Sequence, residues 1–90
     1  MGVYVDSVKP CVLTNYWRWA ESCHLIADSV YELHRFAEKL GLKKEWFQEK
    51  PSPHYDLTRS KRAKAVELGA IEVNIIELAE IIQRNRRKVY

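Results

Sequence analysis

The residues from Ser29 to Gly41 leave the chain little freedom. Ser29 and Glu32 form the S-x-x-E pattern in which two side chains satisfy each other's backbone donors at a helix start, and Gly41 supplies a left-handed stop. Between them Val30, Leu33, Phe36, Ala37 and Leu40 recur at helical spacing, so the segment must be an amphipathic helix with one face to bury. His34 lies one position off that stripe, at its flank or on the surface.

Short apolar runs on either side offer a sheet for this helix to cover. Val3-Tyr-Val-Asp6 reads as a first strand, Ser22 to Ala27 as a second closed by Asp28-Ser29, Glu45-Trp-Phe-Gln48 as a third or as an extended segment under the helix, and Ile71-Glu-Val73 as a fourth. A second helix is expected to start at about residues 57 to 59, with Asp56 or Thr58 as its N-cap, and to end at Gly69. Asn74 and Glu77 open a third, whose Ile75, Ile76, Leu78, Ala79, Ile81 and Ile82 form a broad apolar face. Strand then helix, three times over, predicts the α/β class: a small, mainly parallel sheet of about four strands packed with three helices. Residues 7–21 show neither period and read as an irregular aromatic loop within a single domain spanning 1–90. Trp17, Arg18 and Trp19 in that loop are candidates for stacking on a base or packing on a partner.

Ninety residues support one modest core, so further burial through a homo-oligomer is expected. No apolar run approaches the roughly 20 residues needed to span a bilayer. The N-terminus lacks a basic segment followed by an apolar one, so no membrane association is expected and a cytoplasmic location is. Cys11 and Cys23 lack C-x-x-C spacing and read as buried thiols; neither a disulfide framework, a metal site nor a cofactor is expected.

Charge is local. Arg59, Lys61, Arg62 and Lys64 crowd one stretch and Arg84, Arg86, Arg87 and Lys88 another, while the rest of the chain holds seven basic residues against twelve acidic ones. The second group lies at a helix C-terminus, where the dipole favours cations; nucleic-acid contact is its secondary reading. The first group sits at a helix start, where the dipole disfavours each cation by roughly 0.3–1 kcal/mol. Donors, dipole and charge there suit an anion. Pro51 and Pro53 stiffen the turn before it, and His54, Tyr55 and Asp56 add polar variety. Asp6, Asp28 and Asn74 fall at ends of expected strands, so one crevice could gather them with His54, Tyr55, Arg59 and Arg62. His24, inside an apolar run, is either a hydrogen-bonded structural residue or faces that crevice.

The spread of Val3-Tyr-Val-Asp6, Cys23-His-Leu-Ile-Ala-Asp28, Glu32-Leu-His34, Leu40-Gly-Leu42, Trp46-Phe-Gln48, His54-Tyr-Asp-Leu57, Lys61-Arg62 and Gly69-Ala70 resembles a family of short bacterial and phage proteins known as a domain of unknown function (number 4031). The resemblance implies a compact stand-alone domain, often carried by phages or mobile elements. It draws attention to His24, Asp28, His34, His54, Tyr55, Asp56 and Arg62, and brings no activity with it.

Three functions follow in order of preference. The first is binding of a small phosphorylated ligand, a nucleotide or nucleotide-derived signal, which a phage protein would sequester. Arg59, Lys61 and Arg62 would hold phosphate, Tyr55 or a Trp the base, and Asp28 or Asp56 a ribose hydroxyl, with His54 alongside. The second is a small hydrolase or phosphoesterase acting on a nucleotide or nucleic acid. Its catalytic candidates are His24, His54 and Asp56, with Asp6, Asp28 or Asp56 orienting a nucleophile or holding Mg²⁺ and Arg62 stabilising developing charge. The third is a nucleic-acid binding module using both basic stretches. Whether the protein is an enzyme stays open.

Overall fold

The computed structural model describes residues 2–11, 13, 17 and 19–87; Asn15, Tyr16 and Arg18 of the aromatic loop and Lys88 of the basic tail lie outside the described residues. The elements run β1 (Val3–Val5), β2 (Lys9–Pro10), β3 (Glu21–Ala27), α1 (Val30–Lys39), a 3-10 turn (Lys44–Trp46), β4 (Tyr55–Leu57), α2 (Arg59–Glu67), β5 (Ile71–Glu72) and α3 (Ile75–Arg86).

The helices stand where their caps put them. Ser29 Oγ accepts the Glu32 N–H at 3.1 Å, and Asn74 and Glu77 form a reciprocal capping box. Thr58, not Asp56, caps α2, accepting the Lys61 N–H at 3.2 Å. Gly41 and Gly69 both take positive φ, 76° and 108°. Each closes its helix by donating three residues back while the next residue donates five back, Leu42 to Ala37 and Ala70 to Ala65, which is the Schellman geometry that a side chain at the glycine would strain.

The sheet corrects the expectation of a mainly parallel arrangement of about four strands. It has five strands and is mixed: by pairing it runs β2-β3-β1-β5, with β4 also on β3. Only β1 and β5 are parallel; β1, β2 and β4 all pair antiparallel to β3. Among the described residues no helix intervenes between β1 and β3, which pair antiparallel without the crossover that a parallel neighbour needs. The segment read as an irregular loop at 7–21 contributes β2 and the first residue of β3. The expected strand at 45–48 is instead the 3-10 turn, followed by one antiparallel bridge between Gln48 and His54. The true third long-range pairing is β4, hidden between a proline-rich turn and a helix start.

Leu25 lies opposite Val5 on one side and Tyr55 on the other, so β3 is the centre of the sheet. Its alternate residues Cys23, Leu25 and Ala27 join Val5, Tyr55 and Leu57 on one face, sealed by Leu33, Phe36, Ala37 and Leu40 of the α1 segment and Ala65 of α2. Ile26 and Tyr4 point to the other face, met by Val73, Leu78, Ile81 and Ile82. The broad face expected of α3 is narrower in fact, since Leu78 and Ile81 are buried while Ile75 and Ile76 remain exposed. α3 therefore packs on the Tyr4 and Ile26 end of its face. His24 and Asp56, further along the same face, stay partly open.

Candidate metal centre

His54 and Asp56 are two residues apart in extended chain, so their side chains emerge on the same face. The β3–β4 register sets His24 directly opposite Asp56 on that face. His54 Nε2 lies 3.7 Å and His24 Nε2 4.0 Å from Asp56 Oδ1, the two rings are 5.3 Å apart between centroids, and one ligand atom from each residue falls within 4.8 Å of the others. These separations are too long for hydrogen bonds among the three. Two donors on one ion at about 2.1 Å stand roughly 3–3.5 Å apart, so small rotations would close the set around a cation.

The atom of each side chain turned away from this centre is held. Asp6 Oδ2 accepts from His24 Nδ1 at 2.8 Å, the Ser52 carbonyl accepts from His54 Nδ1 at 2.6 Å, and Gln48 Nε2 donates to Asp56 Oδ2 at 2.5 Å. With each Nδ1 donating, a neutral ring presents its Nε2 lone pair to the centre, the arrangement that orients metal-binding imidazoles.

Asp6 does more than orient a ring. It is 1 % exposed, and its Oδ1 accepts the His24 N–H at 2.6 Å while its own N–H reaches the His24 carbonyl at 3.3 Å. The carboxylate has replaced its own carbonyl in the ladder, and that carbonyl accepts instead from Arg62 Nε at 2.7 Å. The reason lies in the register. From Asp6, bonded to His24, to Lys9, opposite Ser22, the β1–β2 run advances three residues while β3 recedes two, so one residue is extra and the edge carries a bulge. Burial pushes the Asp6 carboxyl up, but the hydrogen bonds from His24 and the imidazole charge outweigh it and hold it below its ordinary value. The same hydrogen bond pushes the His24 imidazole up, against its partial burial.

The other expected ligand residues are not brought to this centre. Tyr55 is 1 % exposed on the opposite face, its hydroxyl 2.8 Å from His34 Nδ1 and its ring against Phe47, so the expectation of a base-stacking Tyr55 is corrected. Asp28 follows β3, which runs antiparallel to β1, and so lies at the opposite end from Asp6. It takes the Tyr4 hydroxyl at 3.0 Å and pairs with Arg84. The three α2 cations expected on phosphate are engaged separately: Arg59 with Glu21 at 2.6 Å, Lys61 Nζ with the Leu40 carbonyl capping α1 at 2.6 Å, and Arg62 with the Asp6 carbonyl and with Glu72 at 3.1 Å. Asn74 is spent on its cap, Arg86 reaches the Pro51 carbonyl at 3.1 Å, and Trp17 Nε1 donates to the Glu21 carbonyl beside Trp19. Cys23 is buried beneath the centre on the other face, where burial and the Asp6 charge push its thiol up to about 12.

The expectation of no metal site rests on the lack of C-x-x-C spacing, although Asp56 is among the residues expected to hold Mg²⁺ in the hydrolase reading. Gln48, Ser52 and the role of Asp6 were missed altogether. The available signal was His-x-Asp in a strand position, obscured because residues 54–56 read as a turn and cap.

A family model described as Protein of unknown function (DUF4031) matches residues 3–85. The chain belongs to this family. No curated protein and no solved structure matches it. No helix among the described residues is long and apolar enough to cross a membrane.

Proposed function

We propose that His24, His54 and Asp56 hold one divalent transition-metal ion and that the protein is a small metal-dependent hydrolase of phosphoesters. The observation that carries this reading is the support of all three ligands from behind, by Asp6, the Ser52 carbonyl and Gln48, while their facing atoms remain unbonded to one another. Two imidazoles and one carboxylate suit zinc, cobalt, nickel or ferrous iron better than magnesium or calcium, which favour all-oxygen sets. Three protein ligands leave coordination positions open, and an ion so held lowers the pKa of bound water to about 7.

Such an ion would supply a water nucleophile for attack on phosphorus, with the phosphorus–oxygen bond to the leaving group broken, the water proton passing to solvent and the leaving oxygen taking one up. The phosphorylated ligand expected from the sequence becomes the substrate in this reading. It approaches from the face of His24 and Asp56, not from α2.

Metal content after dialysis against zinc or cobalt, measured by mass spectrometry, tests the centre. One ion per chain in the wild type and none in His54→Ala supports it, with cobalt spectra reporting the ligand set and para-nitrophenyl phosphate reporting turnover. Equal metal in both proteins would overturn it.

A further inference from the structure

We infer that Lys9 is the anion-holding residue of this centre and that its substrate carries negative charge beside the bond cleaved, as a phosphate monoester or diester does and a neutral ester does not. The inference rests on the metal-centre reading above.

The sheet divides the cations of the protein. α2 packs through Ala65 against the face of Cys23, Leu25, Tyr55 and Leu57, so Arg59, Lys61 and Arg62 belong to the side away from His24 and Asp56, each with a partner already. Lys9 lies on the other side. It is opposite Ser22, and in a continuous β3 the Ser22 and His24 side chains share a face.

The bulge is what puts it there. Had the Asp6–His24 pairing continued without an extra residue, Lys9 would face Glu21 and its side chain would emerge beside α2, because a shift of one residue exchanges the two faces. The distortion that frees the Asp6 carboxylate for His24 thus also turns Lys9 onto the metal face. Lys9 is exposed, and among the described residues no hydrogen bond or ion pair occupies its ammonium, which is close enough to act on the charge of both Asp6 and His24.

Formal charge points the same way. Asp6 and Asp56 together cancel a divalent ion bound by neutral imidazoles, and Arg62 is matched by Glu72. Lys9 then adds beside the centre a positive charge that no carboxylate pairs among the described residues. An anionic ester with one oxygen on the metal would place a second oxygen toward Lys9, where a charge-assisted hydrogen bond adds to the attraction.

The test uses the full chain loaded with zinc and inorganic phosphate as the probe, titrated by calorimetry, with metal content measured for every variant. Lys9→Glu is expected to weaken phosphate binding about tenfold or more and Lys9→Ala less. Lys9→Arg should retain most of the affinity, Arg59→Ala should match the wild type, and all should keep their zinc. Turnover of para-nitrophenyl phosphate should fall in Lys9→Ala and be largely kept in Lys9→Arg. A zinc-loaded Lys9→Glu protein with wild-type phosphate affinity would overturn this inference alone. A wild type that takes up no metal would overturn the metal centre and this inference with it.

Discussion

The two faces of one small sheet have been put to opposite uses. On the face under α1 and α2, Cys23, Leu25, Tyr55 and Leu57 are 1 % exposed or less and belong to one apolar cluster, with the Tyr55 hydroxyl on His34. On the other, residues one position along the same strands, His24, His54 and Asp56, converge polar atoms toward a common point, and α3 covers only the far end. Strand alternation makes both possible from three-residue stretches. The lesson is that the closed face supplies the rigidity on which the open one depends, since every ligand of the centre shares a backbone segment with a buried core residue.

That division can be broken from either side. Removing a ligand on the open face, as in Asp56→Ala, should cost on the order of a hundredfold or more in zinc affinity while the metal-free protein melts close to the wild type; calorimetry with a competing chelator and a thermal melt check both halves. Truncating the closed face in Leu25→Ala should instead destabilise the fold by about 2–5 kcal/mol, a large share of the roughly 5–15 kcal/mol available to a domain, and chemical denaturation would measure it. If the ligand variant unfolded as readily as the core variant, the contrast between faces would fail.

Asp6→Asn sharpens the comparison at the strand where the faces meet. Zinc affinity should fall by about 10–100-fold through the loss of ring orientation. In metal-free protein the Asp6–His24 pair also makes stability depend on pH. The lowered Asp6 contributes above its ordinary value of 3.8 and is lost as pH falls through its folded value; the raised His24 contributes fully below 6.5 and is lost as pH rises through its folded value. The difference in stability between wild type and Asp6→Asn should therefore be greatest between about pH 4 and 6.5, as melts across pH would show. Smaller effects mark the closed face and the surface. With its thiol pushed up to about 12, Cys23 should resist iodoacetamide at pH 8 in folded protein, while the less buried Cys11 reacts; peptide mass mapping tells them apart. Arg59→Ala, at an exposed ion pair, should leave melting and zinc binding unchanged.

Much of the local architecture was legible. Ser29, Asn74 with Glu77, Gly41 and Gly69 announce helix ends through their own side chains or the lack of one, and the structure uses each as its chemistry suggests. Strands were less legible, because two or three residues carry no record of direction. The aromatic run Glu45-Trp46-Phe47 had strand-like composition and became a turn, while Tyr55–Leu57 looked like a cap and became a strand. The basic start of α2 also misled: its charges suggested one anion site, and tertiary contacts dispersed them to Glu21, Leu40, Asp6 and Glu72.

The sequence by itself determined the α/β class, the three helices and their limits, and the presence of His24, His54 and Asp56 as side chains of suitable chemistry, because caps, helical periodicity and residue type act within a few positions. Only the tertiary structure decided that these three meet, that Asp6 clamps His24 and that Lys9 turns to their face. Those outcomes depend on the register between β3 and its neighbours and on one bulged residue, and register is set by the burial of whole faces against helices that the local chain does not foresee.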